Sequence, residues 1–417
     1  MKPLGVPAMK PLGVPAMKPL EGLRVIDLTQ AMAAPFCTMN LADMGANVIK
    51  IEPPGEGEPT RQLGAAQKNG HSATFMTMNR GKRGLAVDLK RPEGTEIMKR
   101  LAATADVFVQ NYRPGVAQRL GLGYEALAAI NPRLIYCAVS GFGATGPYAP
   151  RGGYDLIAQG MSGIISVTGG EDGAPAKSGI PLSDLAAGLF AAYGILCALE
   201  YRERTGEGQF VDASLLESAM ALTVWESAEY WATGRVPKAM GSAHRLSAPY
   251  QALRARDGYF TVGAGNDKLF AALCGAIGRS DLTADARFRN RVERLANRSE
   301  LIVQIEKTTV TELSAVWLRR LDEAGVPSGP INNYAEALAD PQTLARGMVV
   351  ELMHPGAGAI KALGVPVKLS ETPGAVDRPA PLLGQHTVEI LAELNYTDRD
   401  RQALLSAGVV QQGGDRE

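Results

Sequence analysis

The sequence predicts an α/β protein: a larger domain with a doubly wound, Rossmann-like sheet and a smaller α+β domain. Short apolar runs such as LRVIDL (23–28) and NVIKIE (47–52) recur along the first half of the chain. Segments of helical character separate these runs, with start and stop signals such as Pro92 and Gly45. Strands that alternate with helices pair in parallel, because each connection crosses back over the sheet.

The elements of the larger domain follow from this alternation. The predicted strands cover residues 23–28, 47–52, 84–89, 106–110, 134–140 and 209–213. The predicted helices cover residues 35–45, 92–103, 184–203 and a long segment that ends near residue 232. Ligands of doubly wound sheets gather at the carboxyl ends of the strands, so the loops after these strands are the expected binding region.

The second half of the chain predicts a smaller domain and a return to the first. Residues 233–248 are polar and punctuated by glycine, which is typical of a linker, and residues 249–263 predict a hairpin with an Arg-Asp-Gly turn. Helices are predicted at 266–277, 297–308 and 311–324. We assign residues 17–232 to the larger domain, 249–330 to the smaller domain and 340–417 to a C-terminal part that returns to the larger domain.

Composition argues against several classes of partner. The 417 residues contain 43 acidic and 43 basic side chains, so neither nucleic acid nor an anionic membrane is expected as the main partner. No uncharged run reaches the roughly 18–20 residues of a membrane span. The four cysteines and four histidines lack metal-ligand spacing, which predicts reduced thiols, a cytoplasmic protein and no metal site. The tandem octapeptide of residues 1–16 is interpreted as a repeat artefact or tag.

The most informative stretch is GIPLSDLAAGLFAAYGILCAL, residues 179–199. Ser183 and Asp184 precede 15 residues without a charge, so Asp184 is expected to be a lone carboxylate at the start of a buried helix. One interpretation is that Ser183 or Asp184 caps the helix. The alternative is that Asp184 is a nucleophile in a sheltered pocket, because a carboxylate can carry an acyl group covalently.

A glycine pattern after one predicted strand points away from dinucleotide binding. Residues 141–146 read GFGATG and match the GxGxxG pattern. A dinucleotide fold needs this loop to open a helix, whose N-terminus receives the pyrophosphate. Pro147 and Pro150 follow at once and exclude a helix there, so a nicotinamide-dependent enzyme is disfavoured. The glycines still predict a tight loop that approaches a ligand.

Basic residues cluster in the loops after the predicted strands. The set comprises Arg80, Lys82, Arg83, Lys90, Arg91, Arg113 and Arg119. A solvated surface explains any one of these cations, whereas the whole set lies where a phosphate-bearing ligand with a long arm would be held. Tyr112 is then a candidate to stack on an adenine ring.

Long ordered motifs carry a resemblance to a known family. They are KPLEGLRVIDLTQ (18–30), GANVIKIEPPGEGEPTR (45–61), NRGKRGLAVDLKRPEG (79–94), DVFVQNYRPG (106–115), NPRLIYCAVSGFGATGP (131–147) and GGYDLIAQGMSG (152–163). With them the chain resembles the class III (CaiB/BaiF) coenzyme A transferases from about Met17 to Val410. The resemblance implies that Asp184 accepts the acyl group, that acyl-CoA and a small carboxylic acid are substrates without a permanently bound cofactor, and that the protein is an interlocked homodimer.

The resemblance also implies which residues hold coenzyme A. They are Leu89, Lys90, Asn111, Tyr112, Arg113, Arg119, Ser140 and Gly141. One transferase of the family has a basic residue at the positions of Ser140 and Pro53, so nucleotide contacts are expected to differ in detail. The alternatives are an α-methylacyl-CoA racemase and a non-catalytic CoA-binding protein. Racemases use a histidine where this chain has Tyr154, and a tyrosine of pKa about 10 is a poor base near neutral pH.

Three further segments resemble the branch of the family that uses succinyl-CoA and a dicarboxylate such as glutarate, hydroxymethylglutarate or itaconate. They are residues 241–267, 325–333 and 378–387. A dicarboxylate needs a cation for its distal carboxylate, and the candidates are Arg61 and Arg245, with His244 nearby. Oxyanion donors are expected from backbone N–H groups of residues 141–143 or 263–265.

Overall fold

A computed structural model describes residues 17–64, 66–170 and 173–413, so the predicted repeat artefact lies outside the described residues. The described chain divides into two units. Residues 17–164, 178–228 and 341–413 form the first unit, and residues 165–170, 173–177 and 229–340 form the second.

The strands of the described residues are numbered in chain order. They are β1 (Arg24–Leu28), β2 (Asn47–Glu52), β3 (Gln67–Lys68), β4 (His71–Ser72), β5 (Arg83–Val87), β6 (Val107–Gln110), β7 (Ile135–Ser140), β8 (Phe210–Ser214), β9 (Tyr250–Ala255), β10 (Gly258–Gly263), β11 (Ser328–Pro330), β12 (Val349–His354), β13 (Gly358–Leu363) and β14 (Val410–Gln411). Besides the main sheets, β3 pairs with β4 and β12 pairs with β13, each as an antiparallel hairpin.

The helices are numbered in the same way. They are α1 (Ala33–Asp43), α2 (Ala73–Met78), α3 (Pro92–Thr104), α4 (Val116–Arg119), α5 (Tyr124–Ile130), α6 (Asp155–Met161), α7 (Ile164–Val167), α8 (Leu182–Thr205), α9 (Leu215–Ala221), α10 (Val224–Thr233), α11 (Asp267–Ala276), α12 (Asp281–Ala284), α13 (Arg291–Ala296), α14 (Arg298–Thr309), α15 (Ser314–Glu323), α16 (Tyr334–Ala339), α17 (Pro341–Ala345), α18 (Thr387–Glu393) and α19 (Asp398–Ser406). A 3-10 turn spans Pro59–Arg61. The long helix predicted to end near residue 232 is two helices, α9 and α10. At the break, both the N–H and the hydroxyl of Thr223 donate to Met220 O, which tightens the chain into a turn.

Seven strands of the first unit form one sheet in the order β14-β5-β2-β1-β6-β7-β8. Neighbouring strands are parallel except at the β14–β5 edge, where the C-terminal strand pairs antiparallel. The prediction of an α/β fold with a largely parallel sheet is therefore confirmed. The chain runs outward from β1 to β2 and β5 and then returns to β6 on the other side. The loops after β1 and β6 thus border the crevice where such folds bind ligands.

Helices cover both faces of this sheet. Successive strand residues point to opposite faces, so Val25 of β1 packs with α1 and α8, while Ile26 packs with α3 and α18. Burial on both faces explains why the strand sequences are almost continuously apolar. On its inner side α8 presents small residues such as Ala187 and Ala191, which allow a close approach to α1.

By length and composition alone, the helix α8 could cross a membrane. However, 44% of its most apolar window is buried inside the protein, and Ala187, Ala191 and Ile195 belong to the core of the first unit. Core helices of globular proteins pass the same test, so this property is weak evidence for a membrane span.

The second unit is built on an antiparallel sheet in the order β11-β10-β9. The hairpin predicted for residues 249–263 is confirmed as β9 and β10. Helices α11, α14 and α15 cover the sheet through a core that includes Phe260, Phe270 and Trp317. The helices predicted at 266–277, 297–308 and 311–324 are confirmed as these three, with small shifts at their ends.

Candidate active site

Asp184 lies in the first turn of α8 and not at its cap. The N-cap residue is Pro181, whose carbonyl accepts from Leu185 N–H, and the helix has no side-chain cap of its own. The interpretation of Ser183 or Asp184 as the cap is therefore wrong. The helix α8 therefore begins before the Ser-Asp pair, which occupies its second and third positions.

A carboxylate from another helix takes the place of the missing cap. Asp155, the first residue of α6, accepts a hydrogen bond from Ser183 N–H through Oδ1 at 2.9 Å. Its Oδ2 accepts from Nε2 of Gln159 at 2.7 Å. Gln159 is fully buried, and its Oε1 accepts from Ser178 N–H at 2.9 Å. Asp155 thereby fixes the backbone next to Asp184.

The Asp184 carboxylate is half-buried and unpaired. Burial, and then the negative charge of Asp155, raise the pKa of Asp184 to about 6. The expectation of a lone carboxylate is corrected, because Asp155 is a second acid beside it. Within residues 17–64, 66–170 and 173–413, no hydrogen bond or ion pair reaches the Asp184 carboxylate. Near pH 7 the group is mostly ionised but poorly solvated, a state suited to nucleophilic attack.

The fully buried carboxylates of the first unit differ from Asp184 in this respect. Each of them is paired with a cation: Asp27 with Lys82 at 2.7 Å, Asp43 with Arg80 at 2.7 Å, Glu52 with Arg61 at 2.6 Å and Glu58 with Lys50 at 3.5 Å. A buried acid normally needs such a partner, because an isolated charge is costly to remove from water. The unpaired Asp184 therefore stands out as a candidate for chemistry.

Three cations of the predicted phosphate-binding set have structural roles. Arg80 and Lys82 are buried in the ion pairs above, and Arg83 pairs with Glu389 at 2.8 Å and with Glu393 at 2.6 Å. This corrects the sequence-based prediction for these three residues. Their acidic partners come from distant parts of the chain, so it is tertiary packing that places these cations in ion pairs.

Of the other predicted coenzyme A contacts, Leu89 and Lys90 follow β5, residues 111–113 follow β6, and Arg119 ends α4. Lys90, Arg113 and Arg119 are exposed, and none has a side-chain ion pair in the part of the chain that the structure describes. Leu89 and Tyr112 are half-buried against the apolar core, and burial raises the pKa of Tyr112. Cations in solvent beside half-buried apolar groups are compatible with a ligand that has phosphates and a ring.

Asn111 joins the loops that follow β6 and β1. Its Oδ1 accepts from Gln30 N–H at 2.9 Å, and its Nδ2 donates to Gln30 O at 2.7 Å. Both polar atoms of this predicted coenzyme A contact therefore already hold the backbone at the edge of the crevice.

The glycine loop after β7 packs against the chain that leads into α6. A Cβ on Gly141 would lie 2.6 Å from Cα of Gly153, so the two backbones touch. Gly143 has φ +89° and donates its N–H to Ser140 Oγ at 2.9 Å. Glycine alone meets both demands easily. The loop opens no helix, as predicted, and the Gly143 N–H is already used and is not a free oxyanion donor.

The three predicted dicarboxylate contacts are engaged in local interactions. Arg61 donates to both oxygens of Glu52, at 2.7 and 2.6 Å. The prediction for Arg61 is therefore wrong, because its guanidinium is already bound to a buried carboxylate and has a structural role. In the second unit, Arg245 donates to Lys238 O at 2.6 Å, and Nδ1 of the neighbouring His244 accepts from Leu246 N–H at 3.1 Å. Both remain predictions.

Asp155 is the site residue that sequence reasoning missed. It follows Tyr154, which is 74% exposed and occupies the position of the racemase histidine. The available signal was an acid at a helix start with Gln159 one turn later. Its partner Ser183 lies 28 residues further along the chain, and a sequence pattern does not reveal that contact.

The chain is similar over most of its length to known transferases. The model of a family described as CoA-transferase family III matches residues 20–387. Succinyl-CoA:glutarate CoA-transferase of Mus musculus is 44% identical over 394 residues, which cover 94% of this chain and 90% of that protein. Succinate–glutarate CoA-transferase of Agrobacterium fabrum is 40% identical over 386 residues, which cover 91% and 96%. The crystal structure of a CAIB/BAIF family protein from Brucella suis superposes with a TM-score of 0.83 at 41% identity, and covers 91% of this chain and 100% of that one.

Proposed function

The chain belongs to CoA-transferase family III, and from this membership we propose that it moves coenzyme A from succinyl-CoA to a small dicarboxylic acid such as glutarate. The names of the relatives from Mus musculus and Agrobacterium fabrum support this donor and acceptor. The observation that carries the proposal is the half-buried, unpaired carboxylate of Asp184 in the first turn of α8. Such a group is a nucleophile that can accept an acyl group.

The proposed reaction runs through four acyl transfers on Asp184. Its carboxylate attacks the succinyl-CoA carbonyl, which releases CoA thiolate and forms an aspartyl–succinyl anhydride. The thiolate attacks the aspartyl carbonyl, which frees succinate and leaves an aspartyl-CoA thioester. The acceptor carboxylate displaces CoA thiolate to form a second anhydride. The thiolate then attacks the acceptor's acyl carbonyl, so the new acyl-CoA leaves and the Asp184 carboxylate is restored.

The surroundings of Asp184 favour these intermediates over hydrolysis. An anhydride reacts readily with water, so the site must be narrow and dry. The buried residues Ala186, Ala187 and Gly188 follow Asp184, and Gly188 packs directly against α1, which leaves little room for water on this side of the helix. Coenzyme A would be held by Lys90, Arg113 and Arg119 through its phosphates, and by Tyr112 through its adenine.

An acceptor panel tests the function. The protein is incubated with succinyl-CoA and one of several carboxylic acids, and mass spectrometry identifies the acyl-CoA products. We expect glutarate or a related dicarboxylate to give its CoA ester together with free succinate. Release of succinate from succinyl-CoA at the same rate without an acceptor acid would contradict the proposal. Exchange of the α-proton of a 2-methylacyl-CoA without an acceptor would instead identify a racemase.

We also propose that the protein forms a homodimer, interlocked as the family resemblance implies. In support, Leu189, Phe190, Tyr193 and Leu196 of α8 are each more than 40% exposed and follow helical spacing along one side. An exposed apolar stripe of this kind is typical of an association surface. Sedimentation should give twice the 44.1 kDa chain mass. Interlocked chains separate only on unfolding, so Tyr193→Asp, which places a charge in the interface, is expected to lower the urea midpoint of the dimer, whereas the same change at the exposed Val292 of the second unit should not.

A further inference from the structure

The loop of residues 29–32, between β1 and α1, adopts a backbone conformation that its sequence does not favour. Ala31 has φ +66°, in the left-handed region that residues with a Cβ rarely adopt. Such a conformation persists only where the surroundings enforce it. In this loop the enforcing groups can be identified.

Each residue of the loop up to Ala31 is fixed through its backbone. Lys50 donates from Nζ to Thr29 O at 2.6 Å, and the Asn111 amide holds both polar backbone atoms of Gln30. The Ala31 N–H donates to Oε2 of Glu58 at 3.0 Å. Glu58 is therefore the group that holds the left-handed residue itself.

The two oxygens of the buried Glu58 have separate partners. Oε1 accepts from Thr60 Oγ1 at 2.7 Å and from Asn79 Nδ2 at 3.3 Å, and it lies 3.5 Å from Nζ of Lys50. Oε2 accepts from Ala31 N–H. One oxygen thus belongs to the buried polar network, and the other fixes the loop.

The loop leads into the part of α1 that packs against the helix of Asp184. A Cβ on Gly188 would lie 2.5 Å from Ala33 O and 3.3 Å from Cys37 N, so α8 contacts the first turn of α1 directly. Asp184 is four residues before Gly188 and hence on the same face of α8, one turn nearer the helix start. The face that carries Asp184 is the face applied to the start of α1.

We propose that Glu58 is a positioning residue of the transfer reaction. By holding Ala31 in the left-handed conformation, Glu58 fixes the chain that enters α1. It thereby fixes the first turn of α1, against which the Asp184 face of α8 packs. Glu58 touches no substrate in this role and acts through the loop. The inference rests on the proposed function, in which Asp184 is the nucleophile.

Glu58→Gln separates the two oxygens of the side chain. A glutamine must direct its oxygen to Lys50, because that cation and two hydrogen-bond donors converge on the Oε1 side. The amide NH2 then faces the Ala31 N–H, donor against donor, and the loop loses its restraint. With succinyl-CoA and glutarate, we expect kcat to fall about tenfold while KM for succinyl-CoA stays within about twofold.

Ala31→Gly provides the decisive background, because glycine adopts φ +66° without steric strain. If Glu58 acts by enforcing this conformation, Glu58→Gln should lower kcat less than threefold in the Ala31→Gly background. Asp43→Asn breaks the buried pair with Arg80 far along α1 and serves as the control. It should lower the melting temperature with kcat retained, and Ala31→Gly should leave that loss unchanged. An equal loss of kcat from Glu58→Gln in both backgrounds would overturn the proposal.

Ala31→Val gives a second approach that leaves Glu58 and Lys50 in place. A β-branched residue is a severe outlier at positive φ, so this variant should also lower kcat with little change in KM. Wild-type kcat in folded Ala31→Val protein would sink the positioning role, even where Glu58→Gln fails to fold. Hydroxylamine trapping of wild type during turnover tests the proposed function separately. An unmodified peptide at Asp184 would refute the nucleophile, whereas a labelled peptide with no kcat effect in the variants would refute only the role of Glu58.

Discussion

Asp184→Asn is expected to lower the turnover number on the order of 1,000-fold or more and, at the same time, to stabilise the folded protein at neutral pH. The amide cannot attack a thioester, so the first acyl transfer is lost. The stability gain follows from the pKa of about 6 in the folded protein, which lies above the ordinary aspartate value. Ionising this group in the fold costs free energy, and asparagine removes that cost.

The sign of the stability change identifies the role of the residue. The folded pKa is raised, so the native state binds the proton more tightly than the unfolded chain does. The stability contributed by this group is full at low pH, is lost between about pH 4 and pH 6, and stays lost above. Asp184→Asn should therefore gain on the order of 1–2 kcal/mol at pH 7.5 and almost nothing at pH 4. A helix-capping residue predicts the reverse, about 1 kcal/mol of lost stability with activity kept.

Asp398→Asn is the matched control, because Asp398 also lies in the first turn of a helix, α19, and its side chain is 95% exposed. Its turnover should equal that of wild type. Steady-state assays with succinyl-CoA and glutarate, combined with urea denaturation at both pH values, measure the effects. The assignment fails if Asp184→Asn keeps a tenth of wild-type turnover or loses stability at pH 7.5.

The same ionisation should appear in the pH dependence of the rate. We expect kcat/KM to fall about tenfold per pH unit below roughly pH 6, because only the ionised Asp184 is a nucleophile. Asp155→Asn should move this limb to lower pH by part of the shift only, because burial is the larger cause and Asp155 the smaller one. A limb that stays in place would show that another group controls the rate.

Local patterns in the sequence were enough to predict the sheet and the position of Asp184. The strands β1, β2 and β5 to β8 follow from short apolar runs, and their parallel pairing follows from the helices between them. Asp184 follows from its place before a long uncharged helix and from the family motif. These features depend on residues that are close together in the chain.

Contacts between distant segments were not predictable in this way. From the sequence, Arg80 and Lys82 predict part of a phosphate site. In the structure they pair with Asp43 of α1 and Asp27 of β1. The left-handed Ala31 is equally hidden, because alanine gives no sign of positive φ. In each case a buried charged side chain from a distant part of the chain decides the local structure. The sequence alone does not show which distant residue is the partner.

Lys82→Met is expected to cause a large loss of stability in the first unit. Lys82 Nζ pairs with the fully buried Asp27 at 2.7 Å and donates to Asn79 Oδ1 at 2.9 Å and to Pro35 O at 3.2 Å. Burial acts to raise the pKa of Asp27, but Lys82, Lys50 and the hydrogen bond from Thr29 together outweigh it and hold that pKa below its usual value. Without Lys82 the carboxylate loses its nearest cation, which costs about 3–5 kcal/mol in buried pairs. Urea denaturation measures the loss.

The double variant Asp27→Asn/Lys82→Met separates the value of the pair from the cost of an unmatched charge. Asparagine still accepts from Thr29 N–H, so the double variant should recover most of the loss. Arg204→Met, in a pair with Glu200 whose side chains are about 70% exposed, should leave stability unchanged. A Lys82→Met variant as stable as this surface control would contradict the argument. The double variant should thus be stable. Because it still lacks the hydrogen bond from Lys82 to the Pro35 carbonyl, its turnover should be slower. That outcome would mean that the buried pair is kept for the geometry it gives the start of α1 and not for net stability.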